Sequence, residues 1–87
     1  MEYRVEWSTK AQKDVDGLDQ MVARRILKKL NWYLAQPDPL AFARILEHPH
    51  TREARFRVGD YRAVVVIHYK KKVIIVVAVG HRGDIYR

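Results

Sequence analysis

The residues best suited to chemistry in this chain are three arginines, Arg55, Arg57 and Arg62. A guanidinium is a rigid, planar fork of five donors whose charge persists at any physiological pH, and it can grip two phosphate oxygens at once. A group of them on one surface points to an anionic ligand, above all a phosphate. The closing run His81-Arg82-Gly83-Asp84-Ile85-Tyr86 adds an imidazole and another guanidinium.

A hairpin would bring these side chains together. Ala54, Phe56 and Val58 alternate with charged Glu53, Arg55 and Arg57, the period of two of a half-buried strand. Gly59-Asp60 supplies a two-residue turn with glycine first, as a type II′ turn prefers. A second strand, rich in Val and Ile, runs from Tyr61 to Tyr69. The short loop pairs Val58 with Tyr61, so Arg57 faces Arg62 and Arg55 faces Val64. Like charges directly opposite are unfavourable in a sheet, and an anion brought there relieves them. The next hairpin, over Lys70-Lys71-Lys72, returns a strand from Val73 to Val79. Pairing Tyr69 with Lys72 sets Arg62 beside Val79, so His81 and Arg82 emerge at Arg62's end of the sheet. A slip of one residue decides which of the two points at the cluster. Val64 and Val66 give that face a partly apolar floor, where a low local dielectric strengthens contacts with phosphate.

Composition narrows the partners. Eighty-seven residues allow one domain, residues 1–87, with one modest core. The apolar fraction of 48% excludes a disordered chain. Cysteine is absent, which removes disulfide and thiol chemistry and fits a reducing cytosol. The N-terminal run lacks the apolar core of a signal peptide, and no apolar run approaches the roughly 20 residues of a membrane span. The expectation is a soluble, cytoplasmic protein with no membrane partner. A net charge of +7 and a pI near 10.0 favour nucleic acid or an acidic protein, against the alternative of a basic surface that only aids solubility. The arginine cluster tips that balance towards nucleic acid.

The remaining elements complete the frame. Tyr3, Val5 and Trp7 alternate with Glu2, Arg4 and Glu6, a half-buried strand. Ser8 or Thr9 can cap a helix, with Thr9 and Gln12 matching a capping box, and Gly17 closes it. Asp19 can cap a longer helix to about Gln36, with Val22, Ile26, Leu30, Tyr33 and Leu34 on its core stripe. Arg24, Arg25, Lys28 and Lys29 lie on its other faces, as a solvated surface or a nucleic-acid contact. Pro37-Asp38-Pro39 stops it. Leu40 to Leu46 reads as a turn of helix and His48-Pro49-His50 as a loop; two histidines without a third ligand make a poor metal site. The order β-α-α-β-β-β predicts an α+β fold, an antiparallel sheet with two helices packed on one face.

The run Arg55-Phe56-Arg57-Val58-Gly59-Asp60-Tyr61-Arg62, the Val/Ile-rich hairpin and the closing Gly80-His81-Arg82-Gly83-Asp84-Ile85-Tyr86 resemble the RelE/ParE toxin superfamily along the whole chain. The resemblance implies the toxin of a type II toxin–antitoxin pair. In the RelE branch that toxin is an endoribonuclease, an mRNA interferase that cuts messenger RNA in the ribosome and arrests translation. It uses no metal or other cofactor, and the 2′-oxygen attacks the adjacent phosphate to leave a 2′,3′-cyclic phosphate. Carried over, Arg62 and Arg82 stabilise transition-state charge, Arg55 stands where the branch has a strand lysine, and Tyr86 assists proton transfer at the 2′-hydroxyl. Arg57 and His81 would bind substrate, and Lys28, Lys29, Lys70 and Lys71 would contact ribosomal RNA.

Two departures bear on that expectation. The branch's other strand lysine falls on Glu53, and a guanidinium at Arg55 keeps the charge but exchanges protons poorly. His81, by virtue of an imidazole's near-neutral titration, and Glu53 are candidates for a general base. Glu53 could equally form an ion pair with Arg55 or Arg57. The other functional readings are a ParE-like inhibitor of DNA gyrase and a non-toxic family member acting only in its antitoxin complex. Each implies an acidic, helical antitoxin in a hetero-oligomer.

Overall fold

The computed structural model describes residues 3–47 and 52–81. Its elements are β1 (Arg4–Trp7), α1 (Thr9–Asp16), α2 (Gln20–Leu34), a 3-10 turn (Pro39–Phe42), β2 (Arg44–Glu47), β3 (Arg52–Val58), β4 (Tyr61–His68) and β5 (Val73–His81). Local chemistry sets the helix ends. Ser8, rather than Thr9, caps α1 by accepting from the Ala11 amide at 3.0 Å, and the Asp19 carboxylate caps α2 at the Met21 amide, 3.1 Å away. The helix α2 stops at Leu34, before Pro37.

The strands form one five-stranded sheet in the order β1-β5-β4-β3-β2. Both helices cover one face of it. Ile26 and Leu30 of α2 and Ala11 of α1 meet Ala54, Phe56, Val65, Ile67 and Val76, all of them essentially inaccessible to solvent. The α+β architecture is the one expected, with two differences. First, the stretch expected as a helical turn at Leu40–Leu46 contributes only the short 3-10 turn, and Arg44–Glu47 is instead an edge strand antiparallel to β3. Second, β1 lies parallel to β5, so the sheet is mixed rather than purely antiparallel. Strand direction here depends on a crossover spanning most of the chain, and local patterning carries no trace of it.

The β3–β4 register is the one that the turn predicts: Val58 opposite Tyr61, Arg57 opposite Arg62 and Arg55 opposite Val64. Gly59 has φ of +60° and Asp60 does not share a positive φ, which suits glycine at the first turn position. The β4–β5 register departs by one residue. Val65 pairs with Val76 but Val64 pairs with Ala78, so a bulge at Val77 puts Gly80, not Val79, beside Arg62.

Candidate nucleic-acid interface

The sheet face turned away from the helices carries the arginines. Arg57 and Arg62 oppose each other across β3 and β4, and Arg44 opposes Arg55 across β2 and β3. Sequence reasoning missed Arg44, because that residue fell in a stretch read as helical. Together with Phe42, these four arginines line a recess of about 400 Å³. Val64, opposite Arg55 and only 8% exposed, makes this face of the sheet partly apolar.

The guanidiniums differ in how they are held. Arg55 donates from Nε to Glu53 Oε2 at 3.1 Å, and its Nη2 lies 3.0 Å from the same oxygen. Of the two alternatives for Glu53, an acid–base role and an ion pair, the geometry displays the pair. Arg57 Nε donates to the Gly59 carbonyl at 3.2 Å, and Arg62 Nη1 to the Tyr61 carbonyl at 3.5 Å. Among the described residues, none of Arg44, Arg57 and Arg62 forms an ion pair. Two like-charged cross-strand pairs thus share one carboxylate, an arrangement that disfavours the isolated sheet and favours an anion in the recess.

His81 does not join this group. The bulge places it opposite Tyr61, on the helix-bearing face, with the two rings edge-on and 5.6 Å between centroids. The register expected from the sequence, which left His81 or Arg82 to point at the cluster, shifts by one: the extra residue at Val77 turns the His81 side chain to the other face. Two groups on α1 hold that bulge. Asp14 Oδ2 accepts from the Val79 amide at 3.0 Å, and Ser8 Oγ donates to the Val77 carbonyl at 3.2 Å. No local signal announces either contact, since both partners lie far apart in sequence.

The lysines fall in two separate places. Lys28 and Lys29 sit on the exposed side of α2, where Lys29 Nζ lies 4.7 Å from the Trp32 ring centroid. Lys70 and Lys71 form the β4–β5 turn with Lys72. That turn is at the far end of β4 from the arginines, about 25 Å away at about 3.3 Å per strand residue. Arg82 and Tyr86, like His48 and His50, lie outside the described residues.

A family model described as the ParE toxin of the type II toxin–antitoxin system parDE matches residues 5–86. The chain belongs to the RelE/ParE toxin superfamily. Solved structures of RelE toxins share its fold. The archaeal RelE–RelB complex from Pyrococcus horikoshii OT3 is similar at 30% identity and a TM-score of 0.74, covering 97% of this chain and 99% of the other. The RelBE2 toxin–antitoxin complex from Mycobacterium tuberculosis has 25% identity, a TM-score of 0.72 and coverages of 94% and 93%. The isolated RelE toxin of E. coli has 26% identity, a TM-score of 0.68 and coverages of 98% and 92%. No curated protein sequence matches this one. Among the described residues of this toxin, no helix is long and apolar enough to cross a membrane.

Proposed function

We propose that this toxin is a ribosome-dependent endoribonuclease that cuts messenger RNA without a metal ion and so arrests translation. The observation that carries the proposal is the recess in which Arg57 and Arg62 stand opposed with no carboxylate partner among the described residues, on the sheet face away from α1 and α2. A phosphodiester seated there receives charge-assisted hydrogen bonds on its non-bridging oxygens, and these strengthen as negative charge builds on the phosphorane. The 2′-oxygen attacks phosphorus and the bond to the 5′-oxygen breaks, leaving a 2′,3′-cyclic phosphate and a 5′-hydroxyl. The 2′-hydroxyl proton leaves to a base and the 5′-oxygen gains one. Arg62 and Arg82 act on the developing charge, Arg55 holds the phosphate from the Glu53 side, and Tyr86 assists the proton at the 2′-oxygen.

The partner proposed for the resting state is an acidic, helical antitoxin in a hetero-oligomer. The Pyrococcus relative is a RelE–RelB complex and the Mycobacterium relative is the RelBE2 toxin–antitoxin complex. Here β2 forms a sheet edge next to the arginines and could accept an added strand, while carboxylates of the antitoxin neutralise the recess. The test is incubation with programmed ribosomes, followed by mapping of message ends and their terminal chemistry. New ends bearing cyclic phosphate support the reading; intact messages, at concentrations that stop growth, overturn it.

A second reading, inhibition of DNA gyrase, is favoured by one specific finding, the match to a ParE family model. The described residues lining the recess are four arginines and a phenylalanine, with no acid–base group among them, which suits an anion-binding module as well as an enzyme. Loss of DNA supercoiling by purified gyrase, with messages left uncut, would establish that reading instead.

A further inference from the structure

Three recesses on this molecule share walls. Lys28, Asn31 and Trp32 of α2 line one of about 570 Å³ together with Arg25 and Lys29. The same Arg25 and Lys29 line a second, of about 400 Å³, that extends over Tyr33 to Arg57 and Gly59. Arg57 in turn belongs to the arginine recess. None of the described residues lining the three is acidic. Arg25, Lys28, Lys29 and Trp32 follow the i, i+3, i+4, i+7 spacing of one helix stripe, about 10 Å long. Trp32 is 47% exposed although its ring contacts Phe42 edge-on at 5.3 Å, and Phe42 also lines the arginine recess.

We propose that this connected track binds single-stranded nucleic acid, leading it from Trp32 over Arg25 and Lys29, past Arg57, into the arginine recess. The inference deepens the reading of the toxin as a nuclease and rests on it for the seat of the scissile phosphate. A run of cations suits consecutive phosphates, with only Arg55 of the track in a described ion pair, and the exposed indole offers a flat surface on which an unpaired base stacks. An acidic peptide would match the charge but gives Trp32 no ring to stack on. A duplex keeps its bases stacked on each other and leaves the indole unused.

The test measures fluorescence anisotropy of labelled RNA carrying 2′-O-methyl groups, which prevent cleavage, as a dinucleotide and a hexanucleotide. The expected result is that the hexanucleotide binds at least tenfold tighter than the dinucleotide, and that Trp32→Ala removes about a tenfold gain while leaving dinucleotide affinity intact. Retained dinucleotide affinity also shows that the variant is folded. Arg25→Ala combined with Lys29→Ala should reduce the magnitude of the salt slope by about 1.4, at about 0.7 per phosphate on a single strand. A length gain unchanged in both variants overturns the track, as does tighter binding of an acidic peptide of equal charge or of the duplex. Arg62→Ala separates the two readings: if dinucleotide affinity survives it, the arginine recess is not the phosphate seat, while the dependence on Trp32 still decides the track.

Discussion

Replacing Arg62 by glutamine should make the isolated toxin more stable while abolishing its action. Arg62 faces Arg57 directly across the ladder, and neither forms an ion pair among the described residues. Opposed like charges in a sheet are unfavourable by about 0.2–1 kcal/mol. Coulomb's law agrees, giving about 0.7 kcal/mol for two unit charges about 6 Å apart in water. Glutamine keeps part of the aliphatic stem over the valine floor, so some of the gain is lost in packing. A net stabilisation of about 0.5 kcal/mol remains, which raises the melting temperature of a domain this size by about 2–4 °C. The repulsion is screened by salt, with a Debye length of about 10 Å at 0.1 M and about 3 Å at 1 M. The gap between variant and parent should therefore close as salt rises, because the parent gains more. Thermal unfolding followed by circular dichroism at both salts measures this, and growth arrest on expression measures function. A variant that melts lower at low salt, or one whose advantage ignores salt, would refute the view that these guanidiniums are held in uncompensated opposition. Full toxicity would refute their role.

Substitutions at four further positions probe the same surface and its supports. Glu53→Gln removes the carboxylate 3.0 Å from Arg55, in a pair whose side chains are about one-quarter exposed, and should cost about 1 kcal/mol in urea denaturation while tightening dinucleotide binding severalfold. Asp14→Ala leaves the Val79 amide without its acceptor, so stability should fall by about 1–3 kcal/mol and that amide should exchange faster, whereas Asp14→Asn retains an acceptor oxygen and most of the protection. Gly59→Ala should destabilise by about 1 kcal/mol through backbone strain alone, since φ is +60° and no heavy atom lies within 4 Å of the added methyl. On the nuclease reading, His81→Ala should leave cleavage of programmed messages within about threefold of the parent, a loss under about 1 kcal/mol, because the imidazole faces Tyr61 on the other side of the sheet; a hundredfold loss would place the imidazole at the reacting bond after all.

What could be read from the sequence was whatever local geometry decides. A two-residue turn with glycine first fixes its own register, so the opposition of Arg57 and Arg62 followed from the order of residues alone. The helices declared themselves through the spacing of Ile26 and Leu30 and through a capping aspartate. The misses were decided at long range. Arg44–Glu47 spans only four residues, too few for a periodic signal, and it becomes a strand because β3 offers it a ladder. The parallel placement of β1 depends on β5, and the bulge depends on Asp14, which lies 65 residues before the amide it binds. The roles expected of Arg82 and Tyr86 come from family resemblance alone, and both residues lie outside the described structure.

The bulge has the larger consequence for mechanism. An uninterrupted register would have left Val79 beside Arg62 and sent Gly80 to Tyr61, so His81 would have shared the arginine face. The extra residue at Val77 instead buries Val79 in the core and leaves a glycine, without a side chain, next to Arg62. Room for a phosphate is gained and the His81 imidazole is turned away from it. In the nuclease reading, the described half of the site then works chiefly by charge: arginines lower the barrier by holding the phosphorane, and proton transfer falls to Tyr86. Such a site depends weakly on pH across the range where histidine titrates and strongly on ionic strength, because its main term is the attraction of exposed guanidiniums for a polyanion.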